Sequence, residues 1–399
     1  MSNLLEKSSI LLTPLAYNSG SVLSIKPTSG AGDFEFRRPG SATRTTQDLL
    51  IETVTDNIPR IDYSGGVGHW LFEPESTNII EYSSDLSAWN KLNSTVTQSN
   101  LLSLDGVNNS YLYESTATNS YIYKEVSLQN LTEYTLSFFV KSNTSTNVKA
   151  DVWDTTQLEQ CSIEVNLTTK VISNFIGTSY KIEDYSNNWL RISVTFNSEN
   201  NFGTTFNRYF NVDSVGTELY IWGAQLQLGN MSSYIPTSGA ATTRLGEVAI
   251  NSGNSSLINS AQGVIYVEIA ALNDDITQRR ISISDGTQDN RIQIKYGNSS
   301  NRIGVLVRSN GSTKFNKYTA NYDILEYNKI AVSYNDSDYS FWVNGVKLET
   351  SFSGSTPTGL YKLDFNGVSA LSEFFGKTKC VAIFKEALTD AELTCLTTI

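Results

Sequence analysis

Apolar and polar residues along this chain exchange places mostly at a period of two, the pattern of strands half-buried against a core, and rarely at the 3.6 spacing of an amphipathic helix. Between residues 81 and 245 the segments YTLSFFV (134–140), VKADVW (148–153), WLRISVTF (189–196) and ELYIW (218–222) follow this rule, with Asn, Ser and Gly in the loops between them. Short strands separated by such turn signals predict a two-sheet sandwich of jelly-roll type, with alternate side chains filling the space between the sheets. The polar stretch NSGNSS (251–256) marks a boundary. Beyond it GVIYVEI (263–269), RIQI (291–294), IGVLV (303–307), KIAVSY (329–334) and YSFWV (339–343) predict a second β-rich domain. Asn344-Gly345 is the strongest hairpin signal, because this pair readily adopts the two positive φ angles of a type I′ turn. One short helix is expected at 389–393, where Thr389 or Asp390 can cap the first turn.

Residues 1–80 are less regular. Turn clusters at 18–20, 29–32 and 64–66 break them into short alternating pieces such as DFEFR (33–37) and PRIDY (59–63), which predicts a β-hairpin-rich arm or small attachment unit. The expected division is therefore 1–80, 81–248 and 249–399, all-β throughout: an arm followed by two β-sandwiches. No repeat of 20 to 50 residues is visible, which argues against propellers and solenoids.

Composition narrows the function mainly by exclusion. A net charge of −11 argues against nucleic acid as a partner, since phosphate recognition needs clustered Lys and Arg. Cys161, Cys380 and Cys395 are odd in number and lack metal-type spacing, so neither a disulfide framework nor a zinc site is expected, and folding in a reducing cytoplasm fits them. The N-terminal segment has only a brief apolar run without a basic start, and no stretch is apolar enough to span a bilayer; neither secretion by a signal peptide nor membrane insertion is expected.

Four strings carry a family resemblance: FEFRRPGSATR (34–44), NIPRIDYSGG (57–66), WLFEPESTNIIEYSSDLSAW (70–89) and YIWGAQLQLGNMSSYIPTSGAATTR (220–244). In wording and order they resemble bacteriophage tail-fibre and virion-surface proteins, the last string matching the segment that ends a carbohydrate-binding-like domain in such proteins. The C-terminal third, with KIAVSY (329–334), WVNG (342–345) and ALTDAEL (387–393), is similar to a laminin-G or concanavalin-A-like sandwich. The resemblance implies a virion structural protein on the particle surface, made in the bacterial host cytoplasm. Its expected partners are other virion proteins and host-surface glycans, and its expected assembly is a homo-oligomer, with a trimer favoured. The sequons at Asn93 and Asn130 are accidental in this reading.

The chemistry considered is that of binding. Aromatic faces stack on the apolar side of a sugar ring while polar side chains hydrogen-bond its hydroxyls. Trp153 leads the candidates, because alternation places Val148, Ala150 and Val152 on one face and Lys149, Asp151 and Trp153 on the other; Asp151 and Trp342 complete the glycan-binding set. Trp89, Trp189 and Trp222 are assigned to structure, holding the sandwich together. Structural calcium is the one cofactor considered, with Asp285, Asp336 and Asp338 as oxygen donors. No enzymatic activity is expected. The single histidine, His69, stands between Gly68 and Trp70 and reads as a turn or packing residue. The enzymatic alternative is a glycoside-cleaving depolymerase using paired carboxylates such as Asp151 with Asp154 or Asp336 with Asp338. The non-enzymatic alternative is a purely structural decoration of capsid or tail.

Overall fold

The computed structural model describes residues 2–15, 17–154, 158–199, 204–212, 215–336, 338–351, 355–368 and 372–399. The chain is all-β, and its strands belong to two compact units. One, here called the terminal sandwich, comprises Met1–Gly40, Val54–Pro74 and Gly246–Ile399; the other, the central sandwich, comprises Ser41–Thr53 and Glu75–Leu245.

In the terminal sandwich the larger sheet runs in the order Val346–Ser351, Tyr339–Val343, Asn328–Tyr334, Gly263–Ala271, Gly376–Phe384, His69–Phe72 and Arg60–Asp62, with Ile10–Leu12 also pairing to Gly376–Phe384. A five-stranded sheet faces it in the order Ser312–Thr319, Ile303–Ser309, Arg291–Tyr296, Arg279–Ser284 and Lys362–Asp364. Alternation explains the core: Ile265, Val267 and Ile269 from one sheet meet Ile281, Ile283, Ile292 and Ile294 from the other. Asn344 and Gly345 take φ of 49° and 83° and close the hairpin between Val343 and Val346, as the pair predicts. The helix Asp390–Thr397 begins with a complete capping box: the Glu392 amide donates to Thr389 Oγ1 and the Thr389 amide donates to Glu392 Oε2. Its Leu393 and Leu396 pack over Tyr266, Ala331 and Trp342, burying the outer face of the larger sheet at that point.

The first 80 residues are not a separate arm. Ile10–Leu12 and His69–Phe72 are paired to Gly376–Phe384, and Phe34–Arg37 pairs with Val248–Ile250. The alternating aromatics of these pieces enter the main core, where Phe34 meets Trp70 and Phe365 at centroid distances of 5.3 and 5.4 Å. A buried ionic group holds the same pieces together. Glu247 accepts from Arg38 Nη1 at 2.8 Å and from Arg60 Nε at 2.8 Å, while Arg60 Nη1 donates to Glu73 at 2.8 Å. Burial opposes the Arg60 charge, and the attraction of Glu247 and Glu73 outweighs it, so its pKa rises above the ordinary value.

The central sandwich contains two six-stranded antiparallel sheets. One is ordered Asn90–Leu92, Ser120–Ser127, Thr204–Val212, Asn147–Trp153, Glu159–Asn166 and Ile172–Ile176; the other Ser94–Gln98, Tyr111–Ser115, Glu218–Leu228, Glu133–Ser142, Trp189–Asn197 and Ser179–Tyr185. Leu136, Phe138 and Val140 pack against Val148, Ala150 and Val152 between them. Trp89, Trp189 and Trp222 are all buried, the last two in a cluster with Phe139 and Tyr234 on the far side of the second sheet. Buried polar groups in the motif segments are structural. Asn78 Nδ2 donates to the Ala224 and Ile235 carbonyls, and Thr237 Oγ1 donates to the Ile80 carbonyl.

Candidate functional site

The strand Asn147–Trp153, inside its sheet, gives the central sandwich a polar and aromatic outer face. Val148, Ala150 and Val152 enter the core, so Lys149, Asp151 and Trp153 stand on the opposite side. Register extends this face on both sides: Asp151 lies across from Ser162 on one neighbour and from Arg208 on the other, and Arg208 in turn lies across from Tyr123. Tyr123 and Asp151 therefore share a rung, two strand spacings or about 10 Å apart. Tyr121 and Tyr123 form an edge-to-face pair at 5.9 Å beside it. Opposite Val152 and Trp153 the neighbouring strand carries one extra residue, Gln160, between Cys161 and Glu159.

Exposure differs along this row. Trp153 is half-buried, whereas Asp151 is 0% exposed and lies 3.3 Å from Lys149 Nζ, which also reaches Glu159 at 2.9 Å. Burial disfavours the Lys149 charge, but the Glu159 hydrogen bond and the attraction of Asp151 outweigh it and raise its pKa. Asp151 thus sits beneath the surface with its charge already answered by Lys149, and this pairing corrects its expected role as a direct sugar contact. Asp154, its expected carboxylate partner, accepts from the Leu158 amide at 3.0 Å and from Gln160 Nε2 at 3.1 Å, so it braces the end of the hairpin.

Trp342 does not belong to this face or to any open one. It is 3% exposed in the terminal sandwich, clustered with Leu393 and Leu396 of the terminal helix, and its Nε1 donates to Ser340 Oγ at 2.9 Å. Its glycan-binding assignment is corrected accordingly: a ring covered by a helix presents no face to a sugar.

The three expected calcium donors do not converge: Asp285 stands apart from the cavity that Asp336 and Asp338 line. Asp285 accepts from the Thr287 amide and hydroxyl at 2.8 and 2.6 Å and from Asn290 at 3.0 Å; these bonds, working against burial, lower its pKa. Asp336 accepts from Thr356 Oγ1 at 3.0 Å, and Asp338 exchanges hydrogen bonds with Asn335. Asp336 and Asp338 line a shallow cavity of about 430 Å³ with Asn259, Gln262 and Asn335. Among the described residues no three His, Cys, Asp or Glu side chains gather within reach of one ion.

His69 is fully buried in the terminal sandwich, its Nδ1 3.0 Å from the Val67 carbonyl and its Nε2 3.7 Å from Asp62. Burial pushes its pKa down to about 4 despite the attraction of Asp62. All three cysteines are free thiols, with Cys161 and Cys380 buried and Cys395 exposed. Sequence reasoning missed a concentration of Arg and Lys on the outer face of the five-stranded sheet. The alternation of RIQIKY (291–296) was the available signal, since it sends Arg291, Gln293 and Lys295 to one side.

No family model matches the chain, and no curated protein matches it. Among solved structures it is similar to the CBM40 module of the Ruminococcus gnavus IT-sialidase, at 18% identity over 37% of this chain and 93% of that one, with a TM-score of 0.32. A leech intramolecular trans-sialidase is matched at 19% identity over 38% of this chain and 26% of that one, with a TM-score of 0.30. Sheep galectin-11 is matched at 8% identity over 31% and 86%, with a TM-score of 0.22.

Proposed function

We propose that this chain is a non-enzymatic phage virion surface protein, a tail fibre or a head or tail surface fibre, that displays a glycan-binding sandwich for attachment to host-surface glycans. The glycan part is carried by the outer face of the central sandwich. There a half-buried Trp153 and the Tyr121–Tyr123 pair border a row in which Lys149 is held by Glu159 and buried Asp151. Aromatic surface next to fixed polar groups is what pyranose recognition requires. The virion setting, the partner virion proteins and a homotrimeric assembly rest on the motif strings between 34 and 244 and their resemblance to fibre proteins.

The test is an array of bacterial surface glycans probed with the full chain and with Trp153→Ala. A restricted set of glycans should bind, and the substitution should weaken that binding by about tenfold or more while leaving the melting temperature nearly unchanged. A chain that binds none of them would reduce the reading to a structural decoration. New reducing ends on incubation with host capsule would replace it with a depolymerase.

A further inference from the structure

The five-stranded sheet of the terminal sandwich has an outer face unlike the rest of the molecule. Three rungs cross it. The first carries Arg280, Lys295, Gly304 and Tyr318; the second Ser282, Gln293, Leu306 and Asn316; the third Ser284, Arg291, Arg308 and Thr313. Alternate residues of the same strands, including Ile281, Ile292, Ile294 and Val305, fill the core, so these rungs point away from it. Successive rungs lie about 7 Å apart. Two cationic rows therefore flank a neutral one, on a protein whose net charge is −11.

The cations are held without carboxylates. Lys295 Nζ donates to Tyr318 Oη at 2.7 Å and to Asn316 Oδ1 at 3.1 Å, and Arg302 lies over the Tyr318 ring at 3.8 Å. Arg280, Arg291 and Arg308 donate to the Gln278 side chain and to the Gln288 and Gly311 carbonyls. Among the described residues none of these five cations lies in an ion pair; Asp289 is the acid whose charge reaches Arg291. Burial, with the repulsion of Arg308 and Arg280, lowers the Arg291 pKa to about 10, and burial lowers those of Lys295 and Arg280. Gly304 keeps the first rung flat, because a Cβ there would stand 2.5 Å from Tyr318 and 3.0 Å from Lys295.

A second observation is independent of charge. Gln293, in the middle of the neutral row, is 0% exposed, and among the described residues neither its Nε2 nor its Oε1 has a hydrogen-bond partner. A buried amide in this condition is a net cost to the fold, which gains nothing from its polarity. Its capacity to donate and accept is aimed between the two cationic rows.

We propose that this face binds an acidic polysaccharide, the two cationic rows, about 14 Å apart, pairing with carboxylates several sugars apart on a polyuronate chain and Gln293 hydrogen-bonding the sugars between them. Nucleic acid fits less well. Duplex DNA carries a charge about every 1.7 Å, whereas the cationic rows here stand about 14 Å apart, with a neutral acceptor and donor between. The site lies in the terminal sandwich and does not depend on the Trp153 face.

The experiment is affinity electrophoresis and titration calorimetry of the full chain with oligogalacturonate, its fully methyl-esterified form and an oligothymidylate of equal charge. Oligogalacturonate should bind, more weakly as salt rises, and the ester should not. Lys295→Gln and Arg291→Gln should each weaken binding by about tenfold. Gln293→Leu should weaken it too while leaving the melting temperature equal or higher, an outcome that a merely structural glutamine would reverse. Trp153→Ala should leave this affinity unchanged, which separates the site from the one on the central sandwich. The proposal is overturned by an absence of oligogalacturonate binding, by equal binding of the ester, by tighter binding of oligothymidylate, or by full affinity in folded Lys295→Gln and Gln293→Leu.

Discussion

His69 shows how a single residue's environment decides its titration. Placed between Gly68 and Trp70 it reads as a turn or packing residue, and the packing alternative holds: it lies in the strand His69–Phe72 and is sealed from water. Its folded pKa of about 4 lies below the ordinary 6.5, so between these values the unfolded chain takes up a proton that the folded chain refuses. The stability contributed by neutral His69 is therefore complete above pH 6.5 and is lost as pH falls toward 4, by on the order of 3 kcal/mol. Urea unfolding of wild type and His69→Gln at pH values of about 7.5 and 4.5 should show the wild type losing this increment and the variant losing much less. Equal losses would place the acid sensitivity elsewhere. Residue identity was a poor guide to exposure in general. Strand alternation placed Trp153 and Lys149 correctly on the outer side, but it could not show that Asp151 is covered there, nor that the terminal helix closes over Trp342.

At the scale of elements, local signals translated well wherever one or two residues decide a conformation. Asn344-Gly345 supplied the turn, and Thr389 with Glu392 supplied the helix start, because each rule concerns backbone angles or orphan amides within a few residues. Elements that depend on distant partners were illegible. Arg60–Asp62 and His69–Phe72 are strands of the larger sheet because the latter pairs with Gly376–Phe384, some three hundred residues away. Their attachment is reinforced by Glu247, which binds Arg38 and Arg60 where all three side chains are buried. Removing one partner from such a group leaves uncompensated buried charge, so Glu247→Gln should destabilise the terminal sandwich by about 3–5 kcal/mol. Thermal unfolding should show this as a lowered transition, and hydrogen exchange should locate the loss in 34–37, 60–62 and 69–72. Unchanged protection in those strands would mean that apolar packing of Phe34, Trp70 and Phe72 alone secures them.

On the scale of the whole molecule, the chain passes between its two units four times, since 1–40, 54–74 and 246–399 alternate with 41–53 and 75–245. A linear reading cuts the sequence at composition changes, near 80 and 249, and so assigns the C-terminal part an independence it lacks. The fragment 249–399 would keep the five-stranded sheet but lose Ile10–Leu12, Phe34–Arg37, Arg60–Asp62 and His69–Phe72, stripping Phe365 of the Phe34 and Phe72 rings that now pack against it. The fragment 75–245, by contrast, holds every strand of both six-stranded sheets. Expressed separately, 75–245 should be monodisperse and unfold cooperatively in urea, while 249–399 should aggregate or bind hydrophobic dye, because unpaired strand edges and exposed apolar surface favour association. Supplying 1–74 in trans should restore little, since bringing separate chains together costs association entropy that the intact chain avoids. A cooperative, dye-negative 249–399 would show that the N-terminal strands decorate a core that is already complete without them.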